Sequence, residues 1–115
     1  MATLTVAACS VAGLDPTFVA AAGGGDKFPN DGFTVLEVKN ASGGAITVTV
    51  ASQAGVADAY GTQKKDAAVS VAATTGHKRI GPFRPAEWND ADGNVNVTYS
   101  GVTSLTVVPV RVRPS

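Results

Sequence analysis

The chain has 115 residues, with nine basic and nine acidic side chains and a formal net charge of zero. That length suits one domain spanning residues 1–115, and the charge balance leaves no cationic excess to neutralise a phosphate backbone, which argues against nucleic-acid binding by counterion release. No apolar run approaches the roughly 20 residues a membrane helix needs, and at 44% hydrophobic and 16% charged the chain is too apolar for general disorder.

Alternation of apolar and polar residues dominates the pattern from the N-terminus onward and predicts strands. The first is expected over residues 3–8. Asp15-Pro16 then offers an N-cap with proline in the first helical position, predicting about one helical turn through Phe18 to Ala22. Gly23-Gly24-Gly25 would end that turn, and the polar residues that follow predict a mobile surface loop over 23–32.

Residues 33–39 form the next expected strand, with Phe33 and Val35 opposite Thr34 and Leu36. Glu37 falls on the face of Phe33 and breaks the alternation, which a bulge near Leu36 or a strand buried on both sides would explain. Ile46-Thr47-Val48-Thr49-Val50 alternates cleanly. With a turn at residues 40–44 between these two runs, an antiparallel hairpin is expected. Residues 53–66 read as a second irregular region with room for one helical turn.

Further strands are expected over 68–73, 77–83, 95–100 and 104–113. In the last, Val108, Val110 and Val112 face away from Pro109, Arg111 and Arg113. Proline cannot donate to a ladder, which predicts an edge position or a bulge. Several Val- and Thr-rich runs separated by Gly, Asn and Asp predict an all-β fold: an antiparallel β-sandwich, with a jelly roll as one form, and at most one or two short helical turns. Ala and Val supply 36 of the 51 hydrophobic residues, so the sheets should lie close together.

Candidate chemistry is sparse. Cys9 is the only cysteine, which excludes an intrachain disulfide and a cysteine-built zinc site. Its small neighbours predict a buried, unreactive thiol. The first residues lack the basic and long apolar blocks of a secretion signal, so synthesis in a reducing cytoplasm is expected. His77, the only histidine, lies in a turn beside Lys78 and Arg79 and reads as a surface residue. Asn89-Asp90-Ala91-Asp92-Gly93-Asn94 places oxygens at alternate positions as a calcium loop does, yet lacks the closing Glu and reads first as a turn. Gly23-Gly24-Gly25 is not followed by the Gly-Lys-Ser/Thr of a phosphate loop. No catalytic residue, metal ligand or cofactor site is assigned. Residues from 58 onward carry seven bases against five acids, a net of +2, offsetting −2 in the first half. Such asymmetry suits docking on an acidic protein surface.

Trp88 stands out within Gly81-Pro82-Phe83-Arg84-Pro85-Ala86-Glu87-Trp88-Asn89. Two prolines stiffen this connection, so Phe83 and Trp88 can cap one end of the sandwich or anchor an interface.

Three stretches carry a resemblance. Phe28-Pro29-Asn30-Asp31-Gly32 leads into Val35-Leu36-Glu37-Val38-Lys39-Asn40; Ile80-Gly81-Pro82-Phe83 precedes Trp88-Asn89-Asp90; and Asp92-Gly93-Asn94-Val95-Asn96-Val97-Thr98-Tyr99-Ser100 follows. Together, between Leu4 and Val112, they resemble the small β-sandwich structural proteins encoded among tailed-bacteriophage virion genes, especially those that decorate or cement the capsid exterior. The resemblance implies a virion structural role on the outside of the capsid, binding to the major capsid protein, and no catalysis, nucleic acid or membrane. Self-association stays open. The expected interface residues are Phe28, Phe83, Arg84 and Trp88, within contact regions at residues 1–8, 23–32 and 83–88. Two alternatives remain at this point. One is a head–tail connector or tail-completion protein; the other is a carbohydrate-binding module stacking sugars on Trp88, Tyr60 or Tyr99, with calcium at Asp90 and Asp92.

Overall fold

The strand pairing nests. In the computed structural model, which describes residues 2–52 and 66–112, eleven elements follow one another: β1 (Ala2–Thr3), β2 (Ala7–Ala8), β3 (Val19–Ala20), β4 (Asp26–Pro29), β5 (Thr34–Asn40), β6 (Ile46–Val50), β7 (Ala67–Val71), β8 (Gly76–Ile80), α1 (Pro85–Trp88), β9 (Asn94–Tyr99) and β10 (Leu105–Arg111). β6 pairs with β7, β5 with β8, β4 with β9 and β3 with β10, all antiparallel. Two further antiparallel pairs, β5–β10 and β6–β9, join these into sheets ordered β4-β9-β6-β7 and β3-β10-β5-β8. This connectivity is the eight-stranded jelly roll, one long hairpin folded over into two facing sheets. The expected all-β sandwich is therefore what the chain forms.

Two very short parallel pairs depart from the wholly antiparallel expectation. β1 adds to the free edge of β4, and β2 adds to β10 beyond β3. The single strand expected over residues 3–8 is thus two, one in each sheet. Between them Leu4 turns inward and is buried.

The core is built from alternate positions: Leu36 and Val38 of β5, Val48 and Val50 of β6, Val95 and Val97 of β9, and Leu105 and Val107 of β10. Phe28, fully enclosed, fills the layer from β4. Because most of these side chains are Val, removing one methylene leaves little neighbouring mass to collapse into the gap.

The hairpin expected across residues 40–44 does not form. β5 and β6 lie in opposite sheets, and the segment between them is an arch. Asn40 explains the difference. Its buried amide donates to the carbonyls of Gly44 (3.0 Å) and Val71 (3.1 Å), while its oxygen accepts from the Ser42 N–H (2.9 Å) and hydroxyl (2.7 Å). These bonds satisfy the turning backbone internally and tie it to β7, so no ladder between β5 and β6 is needed.

Two local expectations are also corrected. Residues 18–22 hold no helical turn: Val19 and Ala20 pair with Val107 and Thr106, and the ladder to β10 outweighs a cap signal. The polar run read as a mobile loop contains β4, second in its sheet. The helical turn instead occupies Pro85–Trp88, with proline in its first turn.

β10 keeps its proline by local geometry. The Leu105 and Arg111 carbonyls accept from Ala21 and Cys9, on the side away from β5. By the two-residue period Pro109 faces that same side, in the gap between the stretches paired with β3 and β2. Its missing N–H therefore costs no ladder bond, and β10 lies inside its sheet, between β5 and the short β2 and β3, so neither the edge position nor the bulge expected of it is found. β5 carries no bulge; its register with β10 runs unbroken from Thr34 to Asn40.

Glycine is required where the backbone crowds. A Cβ at Gly76 would sit 2.0 Å from the Ala72 carbonyl oxygen in the β7–β8 turn. Gly81, at φ +122°, packs against Phe83 and the backbone of β5.

Asn40→Ala is expected to cost about 1–3 kcal/mol, because it removes the buried bond to the Val71 carbonyl and the part-buried bonds that hold the arch. Urea unfolding would show this as a lower midpoint at unchanged slope.

Candidate functional site

The loops of a jelly roll gather at the two ends of the sandwich. At one end meet residues 30–33 and 81–93. Phe83 is buried and packs against Phe28 (ring centroids 6.0 Å apart) and edge-on against Trp88 (5.8 Å), forming an aromatic chain from core to surface. Asn30 clamps the two loops. Its amide donates to the Phe83 carbonyl (2.9 Å) and the Asn89 Oδ1 (2.8 Å), and the Asn89 amide donates back to the Asn30 carbonyl (2.8 Å).

Of the four expected interface residues, the structure encloses Phe28 and Phe83 and leaves Arg84 and Trp88 at the surface. The two phenylalanines are corrected to supports, since aromatic residues in a loop are buried whenever the sandwich end needs closing. Trp88 is half-buried, and the Arg84 side chain is 81% exposed with one ion pair to Glu87 (3.3 Å). Of the expected contact regions, residues 83–88 lie here together with 30–32, the end of the region 23–32, whose middle is built into β4.

Asp90 follows directly. Its Oδ1 accepts from the Asp92 N–H (2.8 Å) and the Asn94 N–H (3.1 Å), and its Oδ2 accepts from the Asn96 amide (2.9 Å). These donors, led by Asn96, hold the carboxyl below its usual range. The carboxylate is thus occupied in shaping the turn into β9, the first of the two readings of the segment. Among the described residues no group of three His, Cys, Asp or Glu side chains is placed to share a metal ion.

At the opposite end, Asp26 is buried and its Oδ2 accepts from the Tyr99 hydroxyl (2.7 Å) and the Ala22 N–H (3.2 Å). Burial, with Asp26 next in importance, pushes the Tyr99 hydroxyl far above its ordinary range. Tyr99 is therefore a structural phenol. It also lies four residues from Val95, beside which Asn89 pairs, or about 13 Å along the strand. Trp88 and Tyr99 cannot form one stacking platform, and Tyr60 lies outside the described residues.

A third region covers the outer face of the β10-β5-β8 sheet. Residues 9–18 cross it as a strap, leaving a groove of about 530 Å³ floored by Val35, Val110 and Val112. Glu37 is buried there although it faces outward, which accounts for the broken alternation. Its carboxylate accepts from Arg79 and lies 3.7 Å from the His77 Nε2. The Arg79 guanidinium is held further toward its charged form by that hydrogen bond. Phe18 closes the strap, edge-on to His77 (6.0 Å) and under the Lys39 ammonium (4.2 Å). Cys9, expected to be buried, is exposed at this margin, because β2 is an edge strand and Cys9 follows it. Beside the two cations next to it in sequence, His77 has Lys39 opposite it in register and Glu37 on the diagonal.

Comparison of the chain with protein-family models, with curated proteins and with solved structures finds no match.

Two outcomes test this geometry. Asp90→Asn should lower stability at neutral pH by no more than about 1 kcal/mol, since solvent screens the site. A depressed carboxyl stabilises above its unfolded value of about 4 and loses that contribution as pH falls through the lower folded value, so the gap to wild type should close on acidification below about pH 4. Phe18→Ala should speed proteolytic cleavage within residues 9–18 several-fold while the unfolding midpoint of the sandwich changes little, because the strap lies outside the two-sheet core.

Proposed function

We propose that this protein is a virion structural protein that decorates the outside of a tailed-phage capsid, binding the major capsid protein and acting without catalysis. The observation that carries the reading is the loop end holding Arg84 and Trp88. Trp and Arg are the side chains that most often dominate protein interfaces, especially where a rigid support limits the entropy lost on docking. Here the support is the Phe28–Phe83–Trp88 stack and the Asn30–Asn89 clamp. The buried polar groups support the same reading from another side. Asn30, Asn40 and Asp26 each join separate loops or strands, so they serve the scaffold and leave the surface for recognition. The resemblance of the turn and strand motifs to capsid-decorating proteins supplies the choice of partner.

A module that binds an assembled lattice and not its free subunits stabilises the lattice by mass action, repeated over many copies. The carbohydrate reading is disfavoured by the separation of Trp88 from Tyr99. The connector reading differs in copy number: a ring needs about a dozen copies or fewer, a shell coat far more.

The test is co-sedimentation of purified protein with expanded capsid shells that lack it. Saturable binding at micromolar concentration is expected, with Trp88→Ala or Arg84→Glu weakening it by about ten-fold or more. Absence of binding by the wild-type protein would overturn the proposal.

A further inference from the structure

The sheet edges of this sandwich are not equally protected. β1, β2 and β3 are two residues long; β1 covers part of β4, and β2 and β3 cover β10 where they pair. β8 ends its sheet but carries His77, Lys78 and Arg79 in succession, a charged edge that discourages pairing. β7 differs from all of these. It ends the other sheet with Ala67-Ala68-Val69-Ser70-Val71, five residues with neither charge nor proline.

The direction of its free backbone groups follows from the ladder. Thr47 exchanges bonds with Ser100, accepting from its N–H (2.9 Å) and donating to its Oγ (2.8 Å), so Thr47 faces β9. Ile46, Val48 and Val50 therefore face β7, where their partners are Val71, Val69 and Ala67. Ala68 and Ser70 lie between those positions and turn their N–H and C=O groups outward. Neither has a backbone partner on that side among the described residues. Both side chains are small and exposed, so a strand can approach closely.

Lys78 states the chemistry of the visitor. It pairs in register with Val38, whose side chain is wholly in the core, so Lys78 also lies on the inward face of its sheet. Yet it is exposed, because β8 is the last strand and the sandwich is open on that side, next to β7. Arg79, His77, Arg84 and Arg111 each have a carboxylate within ion-pair distance; Lys78 has none among the described residues. A strand added to β7 would turn alternate side chains toward Lys78. A second copy of this chain would bring a second Lys78 instead, and like charges would meet.

We propose that the β7 edge receives an extended segment of an acidic partner protein, which adds as a sixth strand beyond β7 in the β1-β4-β9-β6-β7 sheet and places a carboxylate against Lys78. This is strand addition, with backbone bonds supplying affinity and the carboxylate supplying selectivity. It deepens the capsid reading by naming how the partner is held; its geometric argument stands on the sheet edge alone.

The test uses the full chain and two synthetic peptides of alternating Thr and Val, one with Glu at two inward positions and one with Lys there. Amide exchange and chemical shifts are followed by NMR, and shell co-sedimentation is run in parallel. The Glu peptide should protect the Ala68 and Ser70 amides and bind at least about five-fold more tightly than the Lys peptide. Lys78→Glu should reverse that preference. Ser70→Pro should abolish protection at Ala68 while the β6 amides stay protected, since it removes only an outward N–H. Equal binding of both peptides, shifts confined to other surfaces, or dimerisation through β7 without peptide would each overturn the inference. Failure of shell binding with intact peptide selectivity would overturn the capsid reading and leave strand addition standing. Shell binding unaffected by Ser70→Pro would do the reverse.

Discussion

The arch at Asn40 is the constraint on which the architecture rests. A jelly roll needs its chain to leave one sheet after β5 and enter the other with β6, and every later pair encloses that crossing. If β5 and β6 paired directly, β8 and β10 would lose their common neighbour and the nested order could not close. One buried amide prevents this by binding the arch on one side and Val71 on the other. The energetic reason is that the Asn40 amide and the Val71 carbonyl it meets are buried, where an unpaired group costs about 1–3 kcal/mol, while the arch residues 41–45 lie nearer the surface. Asn40 supplies donors and an acceptor at the point where the chain runs out of ladder.

The other buried polar groups repeat this logic at the two ends. Asn30 ties the 30–33 loop to the 81–93 connection, and Asp26 ties Tyr99 to the turn before β4. Each joins segments more than 50 residues apart. With a core made mostly of valine, the sheets gain little from interlocking large side chains, and these polar ties select one alignment of the loops. The same rigidity that closes the sandwich thereby prepares the surface carrying Arg84 and Trp88.

Legibility in the sequence followed the range of the interaction. Strands whose character lies in their own alternation, such as β6, were visible within a residue or two, as was the all-β class. Pro109 pointed to an edge or a bulge because the rule about its missing donor is local, whereas β2 and β3 pair on either side of the proline and leave β10 inside its sheet. β4 was missed because Asp26, Lys27 and Pro29 look like loop residues; what buries Asp26 is the hydroxyl of Tyr99, 73 positions away. The arch was mistaken for a hairpin because the local turn residues serve either, and the choice is made by Val71. Glu37 broke its pattern for a reason the strand does not contain, namely the strap of residues 9–18 above it. At the candidate site, Trp88 and Arg84 were legible as unusual residues in a stiff loop, while the burial of Phe28 and Phe83 came from packing across the sandwich end.

The distribution of charge over the edges ties fold to behaviour. A net charge of zero gives little long-range repulsion between copies, so self-pairing must be opposed locally. Three devices are present: edge strands only two residues long, the gap at Pro109, and the cations of β8. Had β7 also carried a lysine on its outward positions, every sheet edge among the described residues would be guarded. It carries alanine and serine instead, and Lys78 sits one layer away on the facing sheet. On the strand-addition proposal that arrangement would be selective where a charged β7 would be merely protective, because it would penalise a basic or identical strand and favour an acidic one.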